Sequence, residues 1–418
     1  MYTNRRIFIA ELISILGVAG VPVETLGGSS ATGELRGVWV ETEEFPADPV
    51  KGKEEVRKTV QRLTDANVNL LLAWATSGYL VGLTNTHYAN AYPTAKWDAL
   101  GYLIREAGAQ GLPVHLWYSF TDYRARSSPD FDPKVGGNPD WAAVRIDEYL
   151  PNYPTAKGPA FASEWTRFLK KPQWDMDRLD LPLSPQNRMH DVCPQHDEAR
   201  QWQLQLLKRA LKRYTRLAGI HIEEPGYDYP GNCVCKLCRE VFYQLYGEPI
   251  EQHLDSLEAQ DFRCLGTSAF IAELYRMLRL NYPKLYFSAN GGYNWRQERR
   301  LLGRDWAHWM RMGWLDYYAA QVYTPNVDEF RRRLSVVVEN VGRDGPVVAG
   351  VGIRWSGHPR SNIPTETVLR EIEMAREIGA QGQVLFNAGD IDQEMAEALR
   401  KGPYRSPAQR PFYRQGDA

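Results

Sequence analysis

From residue 36 onward the chain alternates short β-rich runs with segments of helical period, and this alternation restricts the fold to parallel-sheet architectures built from βα units. The strand-like runs fall at 37–42, 68–75, 113–120, 219–224, 284–289, 317–323, 347–353 and 383–387. Amphipathic stretches at 53–67, 97–110, 197–217, 267–280, 327–341 and 365–378 lie between them. Several runs are almost wholly apolar, as expected of strands covered on both faces. Eight of them predict a closed (β/α)₈ barrel. No Gly-x-Gly-x-x-Gly turn follows the first run, which leaves a dinucleotide-binding sheet without support. A length of 418 residues suits one barrel domain over 34–403 with long insertions, preceded by residues 1–33 and followed by a tail, 404–418.

Two connections are too long to be simple crossovers. About a hundred residues separate the third run from the fourth, and a second excursion occupies 225–266. Both leave from strand C-termini, the end at which barrel enzymes build their sites. The runs end on Trp39 and Glu41, Trp74, Trp117 and Tyr118, His221 with Glu223 and Glu224, Asn290, Gln321 and Tyr323, Trp355, and Asn387 with Asp390. Amides, aromatics and a few carboxylates around one cleft suit a neutral, hydroxyl-rich ligand. Trp39, Trp74, Trp117, Tyr118, His221, Asn290, Gln321, Tyr323, Trp355 and Asn387 are the expected substrate contacts. Composition agrees: 13 Trp and 23 Tyr accompany only 13 Phe, a bias toward flat faces with a polar edge that stack on sugar rings.

The adjacent glutamates Glu223 and Glu224 are the sharpest feature. On a regular strand neighbours point to opposite faces, so one should enter the mouth and the other the helix layer unless Pro225 and Gly226 turn the chain. Glycoside hydrolysis ordinarily needs an acid and a second carboxyl. In a substrate-assisted variant an acetamido group of the sugar attacks instead. Glu224 is the expected proton donor and Glu223 its charge partner or an acetamido-orienting group; the bland alternative makes one of them a salt-bridge partner of an Arg or His. Glu41, Asp390, Asp228 and Asp122, in that order, are candidates for the second carboxyl. Asp316 precedes the sixth run and belongs at the barrel floor, where a stabilising role is expected. His221 fits either a substrate hydroxyl or a hydrogen-bonded core position.

Cys233-x-Cys235-x-x-Cys238 is a tight thiol cluster, and Cys193, just before the helix leading to the fourth run, offers a fourth ligand. Four thiolates suit a structural zinc; a disulfide and reduced thiols are the alternatives. No His-rich set accompanies them, so catalysis is expected to need no cofactor. A net charge of −1 carries no footprint for nucleic acid or anionic membrane. At the N-terminus, Arg5-Arg6-Ile7 precedes an apolar run from 7 to 21 and a small-residue exit, the layout of an export signal and of a twin-arginine leader in particular. Glu11 interrupts the run, and a short helix capping the barrel floor is the alternative, in which case the protein stays cytoplasmic. No other stretch reaches the length of a membrane span.

These residues resemble a known group in their order. Arg36 to Glu41, Asn138 to Val144, His190 to Arg200, and Gly219 to Glu224 with Tyr229 and Pro230 are together similar to the family-10-like glycosyl hydrolases, bacterial barrel proteins related to envelope glycan-cleaving enzymes. Cys233 to Gly247 resembles a Cys-rich insertion of related groups. The resemblance implies a barrel acting on carbohydrate, outside the cytoplasm, with Glu223 and Glu224 where the group carries its strand-four acids. The usual aspartates are glutamates here, which moves each carboxylate outward by about one C–C bond. The seventh run ends Gly352-Ile-Arg-Trp355 without an acid, unlike the large clan of retaining barrel glycosidases. A glycoside hydrolase acting on a polysaccharide, one with N-acetylated sugars included, is the leading expectation; a non-catalytic carbohydrate-binding barrel and an envelope scaffold are the alternatives.

Overall fold

The structure, a computed structural model, describes residues 33–84, 92–119, 122–123, 141–144, 190–227, 233–342, 345–355 and 361–411. The N-terminal segment read as an export signal, and Asp228, lie outside these residues, as do the side chains of Asp122 and Trp355. Eight parallel strands close into a barrel in simple sequence order: β1 (Leu35–Val40), β2 (Leu70–Trp74), β3 (Val114–Tyr118), β4 (Gly219–Ile222), β5 (Tyr286–Gly292), β6 (Tyr317–Gln321), β7 (Val347–Gly352) and β8 (Gly382–Phe386). Closure is made at β1, where Gly37 lies opposite Leu70 of β2 and Leu35 lies opposite Gly382 of β8. The fold is the (β/α)₈ barrel expected from the alternation, with each strand inside or overlapping its expected run.

Helix boundaries follow capping chemistry more than periodicity. Val327–Val341 and Thr365–Ile378 match the expected ranges. Residues 267–280 do not mark the next helix fully, because it spans Leu257–Asn281 and begins where Ser256 accepts the amide of Ala259. Both flanks of its first turns are buried, with Ala259, Gln260, Phe262 and Arg263 all covered, so no one-sided apolar stripe advertises them. Among the described residues no helix is long and apolar enough to cross a membrane.

Two cores follow from strand alternation. Outward residues such as Val38, Leu71, Leu116, Ile220, Phe287 and Ala320 meet the helices in the larger one. The inward set, including Leu35, Trp39, Leu72, Trp117, Tyr317, Val348 and Val384, fills the barrel. Gly350 makes room for the largest of these: a Cβ there would come within 3.2 Å of the Trp39 ring and 2.7 Å of the Ala320 carbonyl.

The floor is closed by charge. Glu34 receives Arg36 Nε at 2.7 Å, Arg376 Nε at 2.6 Å and Gln383 Nε2 at 3.0 Å. Residues 404–409 pack here. Tyr404 is buried, Arg36 donates to the Ser406 carbonyl at 2.6 Å, and the Glu34 amide donates to Gln409 at 2.8 Å. Asp316 lies at the same end, accepting the Phe287 amide at 2.7 Å and Arg279 at 3.0 Å.

Candidate active site

Strand parity decides which glutamate enters the mouth. Gly219, His221 and Glu223 point inward from β4, so Glu223 continues the interior column. One of its carboxyl oxygens, Oε2, accepts the Trp117 indole N–H at 2.5 Å and the Asn290 amide at 2.6 Å. The other, Oε1, has Gln321 Nε2 at 3.4 Å. Burial, with the neighbouring charge of Glu224 added, outweighs these donors and raises the Glu223 carboxyl to about 8. Glu223 is therefore protonated at neutral pH.

Glu224 turns away. Its φ of +36° lies in the left-handed region, and its amide donates to Asn290 Oδ1 at 2.8 Å. That turn carries its carboxylate to Arg304 at 2.8 Å, a guanidinium whose side chain is 1% exposed and which also meets Glu298 at 3.3 Å. Gly226 allows the approach, since a Cβ there would sit 2.3 Å from Arg304 Cγ and 2.6 Å from the Leu302 carbonyl. Asn290 thus holds both members of the pair, one through its amide N–H₂ and the other through its carbonyl. Glu224, the expected proton donor, adopts instead the ion-pair alternative weighed for the glutamates.

Glu41 faces the mouth from the end of β1 and is partly buried. Burial, then the hydrogen bond and charge of Glu44, raise it to about 7, while the Asn387 amide at 3.2 Å works the other way. Asp390 is bound to Arg354 at 2.9 Å. The Tyr323 phenol is buried with no hydrogen-bond partner among the described residues, and the charges of Glu223, Glu224 and Glu41 all act on it. Trp74, Trp117, Tyr323 and Phe386 form an aromatic floor. Trp74 and Trp117 centroids lie 4.5 Å apart, and Tyr323 and Phe386 lie 5.4 Å apart. Trp74, Tyr323 and Phe386 are partly open, as are Gln321 and Asn387.

Four expected substrate contacts are corrected. Trp39 points into the barrel but is 0% exposed, one layer too deep, beneath Trp117, Tyr323 and Phe386. Tyr118 has the opposite parity to Trp117 and hydrogen-bonds Gln203 in the helix layer. His221 is sealed between Trp39 and Tyr317, with Nδ1 on the Ser288 hydroxyl at 2.8 Å. Burial lowers it to about 3, so it is a neutral core imidazole. Asn290, 1% exposed, acts on the glutamates and not on ligand directly.

Sequence reasoning missed Arg304, Phe386 and Glu44. Arg304 sits in a loop eighty residues after the glutamates it serves, and no spacing rule links them. Phe386 was legible, because it shares inward parity with Val384.

Beside the mouth, the sulfurs of Cys193, Cys233, Cys235 and Cys238 all lie within 4.8 Å of one another and are buried. The fifth, Cys264, is a separate buried thiol against the Arg299 carbonyl.

The comparisons agree with the sequence resemblance. The model of the family described as Glycosyl hydrolase-like 10 matches residues 171–368, a span that includes β4 to β7 and the glutamate pair. No curated protein matches the chain. Among solved structures, alpha-L-fucosidase isoenzyme 2 from Paenibacillus thiaminolyticus is similar with a TM-score of 0.53 and 16% identity, over 89% of this chain and 49% of that one. The chain thus spans about half the length of that fucosidase. The catalytic domain of beta-amylase from Paenibacillus polymyxa is similar with a TM-score of 0.51 and 9% identity, over 90% of this chain and 99% of that one. At such identities the solved structures establish the fold alone. The family match covers residues 171–368, under half of the chain, and is a likeness to that family.

Proposed function

We propose that the barrel hydrolyses glycosidic bonds of a polysaccharide, with Glu223 as the acid that protonates the leaving oxygen. The observation that carries this reading is a carboxyl at the strand-four mouth raised to about 8 by burial and a neighbouring carboxylate. With Oε2 committed to Trp117 and Asn290, the proton resides on Oε1, beside Gln321. Once that proton has left, the two strong donors hold the carboxylate charge that forms. Glu224, fixed to Arg304, acts through Glu223: its charge keeps the acid protonated.

Glu41 is the second carboxyl of this proposal, poised near 7 and oriented by Asn387. Asp390 is engaged by Arg354, and among the described residues β7 ends without an acid. One mouth-facing acid of the adjacent pair also suits a substrate whose own acetamido group attacks, which favours polymers with N-acetylated sugars. Trp74 and Phe386 would stack on sugar rings, and the Tyr323 phenol would meet a hydroxyl or carbonyl of the ligand. The arginine pair Arg5 and Arg6 ahead of an apolar run supports action outside the cytoplasm.

The test is incubation with peptidoglycan and with polysaccharides carrying or lacking N-acetyl groups, following new reducing ends and their anomeric form by NMR. Products from the native protein and none from Glu223→Gln are expected. Sugar binding without products in every case would leave a carbohydrate-binding barrel, and neither binding nor products would leave a scaffold.

A further inference from the structure

The four buried cysteines sit where the two long excursions meet. Cys193 is fixed within the first excursion by its amide N–H, which donates to the Trp141 carbonyl at 2.8 Å. The Val234 amide bonds to the Val144 carbonyl at 2.8 Å, and the Val144 amide donates to Cys233 Sγ at 3.2 Å. Cys235 and Cys238 lead into and begin the helix Lys236–Tyr246. Cys193 Sγ lies 3.4 Å from Cys238 Sγ and 3.9 Å from Cys235 Sγ. Tetrahedral thiolate ligation at about 2.3 Å places sulfurs about 3.8 Å apart, so these separations are those of a ligand set. They are too long for a bonded disulfide, whose S–S distance is about 2.05 Å.

We propose that Cys193, Cys233, Cys235 and Cys238 bind one zinc ion as a tetrathiolate, and that this ion clasps the two excursions together beside the active site. Binding exchanges the thiol protons for the metal: Zn²⁺ takes four thiolates and the protons leave to solvent, with no change of oxidation state. N–H groups already aim at the sulfurs, as charged thiolates require. The Val144 and Cys235 amides point at Cys233 Sγ, the latter at 3.4 Å, and His196 Nε2 lies 3.7 Å from Cys235 Sγ. The surroundings suit such a clasp. The core at this place comprises Ala143, Tyr227, Val234, Phe242, Ile250, Leu254, Ala259 and Phe262 around the four sulfurs, separate from the barrel's. Among the described residues this cluster is small, and small cores commonly take a structural metal as reinforcement.

The clasp also reaches the glutamates. The Tyr227 hydroxyl lies 3.8 Å from Cys193 Sγ, and the Tyr227 amide bonds to the Leu302 carbonyl at 2.8 Å. Tyr227 follows directly on Gly226, which packs on Arg304. Holding this tyrosine thus holds the loop that sets Glu224 on its arginine. The proposal stands whatever the mouth acts on.

The test is metal analysis of the full chain produced with zinc, followed by replacement with cobalt(II). About one zinc per chain should survive dialysis, and the cobalt form should show the intense thiolate charge-transfer and visible bands of a tetrahedral tetrathiolate. Cys264→Ser should retain this stoichiometry, whereas Cys238→Ser should lose at least about tenfold, since three thiolates hold the ion far less tightly. Release of zinc by a mercurial thiol reagent in the native protein gives the same answer if Cys238→Ser fails to fold. Folded native protein without zinc even after supply of the ion, an intact mass lowered by the hydrogens of a disulfide, or iron in zinc's place would overturn the proposal.

Discussion

The two ends of the barrel both bury glutamates, and they treat them in opposite ways. At the floor, burial pushes Glu34 upward, but Arg376, Gln383 and Arg36 outweigh it and its carboxyl lies below the ordinary glutamate range. At the mouth, burial and Glu224 push Glu223 upward, and Asn290, Trp117 and Arg304 do not offset them. The cation that acts on it, Arg304, is already bound to Glu224 and Glu298. Satisfied charge at one end adds stability. Burial at the other disfavours ionisation, which costs stability as pH rises and leaves a proton available at neutral pH. The contrast is what the proposed site rests on.

Stability should therefore depend on pH with opposite sign at the two ends. Glu34 is depressed, so its contribution is present above the ordinary glutamate value and is lost as pH falls through the lowered one. Glu223 is raised. Between about 4.5 and about 8 the unfolded chain releases a proton that the folded chain keeps, and this destabilises the fold as pH rises through that window.

The largest expected effect breaks the mouth. Glu223→Gln should lower turnover about 10³-fold, the scale of a general acid, while sugar binding persists. Retained turnover would remove the residue from the chemistry. Next comes the floor: Glu34→Gln should cost about 2–3 kcal/mol near pH 7, with a smaller loss toward pH 3, and leave kcat unchanged. Denaturant titration at several pH values checks it, and a fall in kcat would blur the division between the two ends. Trp74→Ala should raise KM about tenfold with little change in kcat, because it removes a stacking face and no proton. The smallest effect is the most specific. Glu224→Gln removes the charge that helps keep Glu223 protonated, so the alkaline limb of kcat/KM should move to lower pH by about one unit. An unmoved limb would mean that burial alone sets the acid.

Much of this was readable from sequence wherever the physics is local. Strands such as 347–353 are short apolar runs. Parity also tells Glu223 inward from Tyr118 outward, but the sequence expectations leave the orientation of the glutamates open and take Tyr118 as a substrate contact. Depth is not local. Trp39 has the right parity but lies beneath Trp117 and Phe386, and only the closed barrel reveals that layer. The partner of Glu224 was equally hidden, since Arg304 follows an unremarkable Leu301-Leu302-Gly303 and is brought over by the β5 crossover. Cys193 lies forty residues before Cys233, yet its place ahead of the helix Asp197–Arg213 already put it near the second excursion.

The protonation state of Glu223 tests the account most directly. Carbon-13 NMR of the glutamate side-chain carboxyls, titrated against pH and compared with Glu223→Gln, isolates the resonance of this one group. A midpoint near 8, absent from the variant, is the predicted result. A midpoint in the ordinary glutamate range, about 4.3, would contradict it and leave the mouth without its acid.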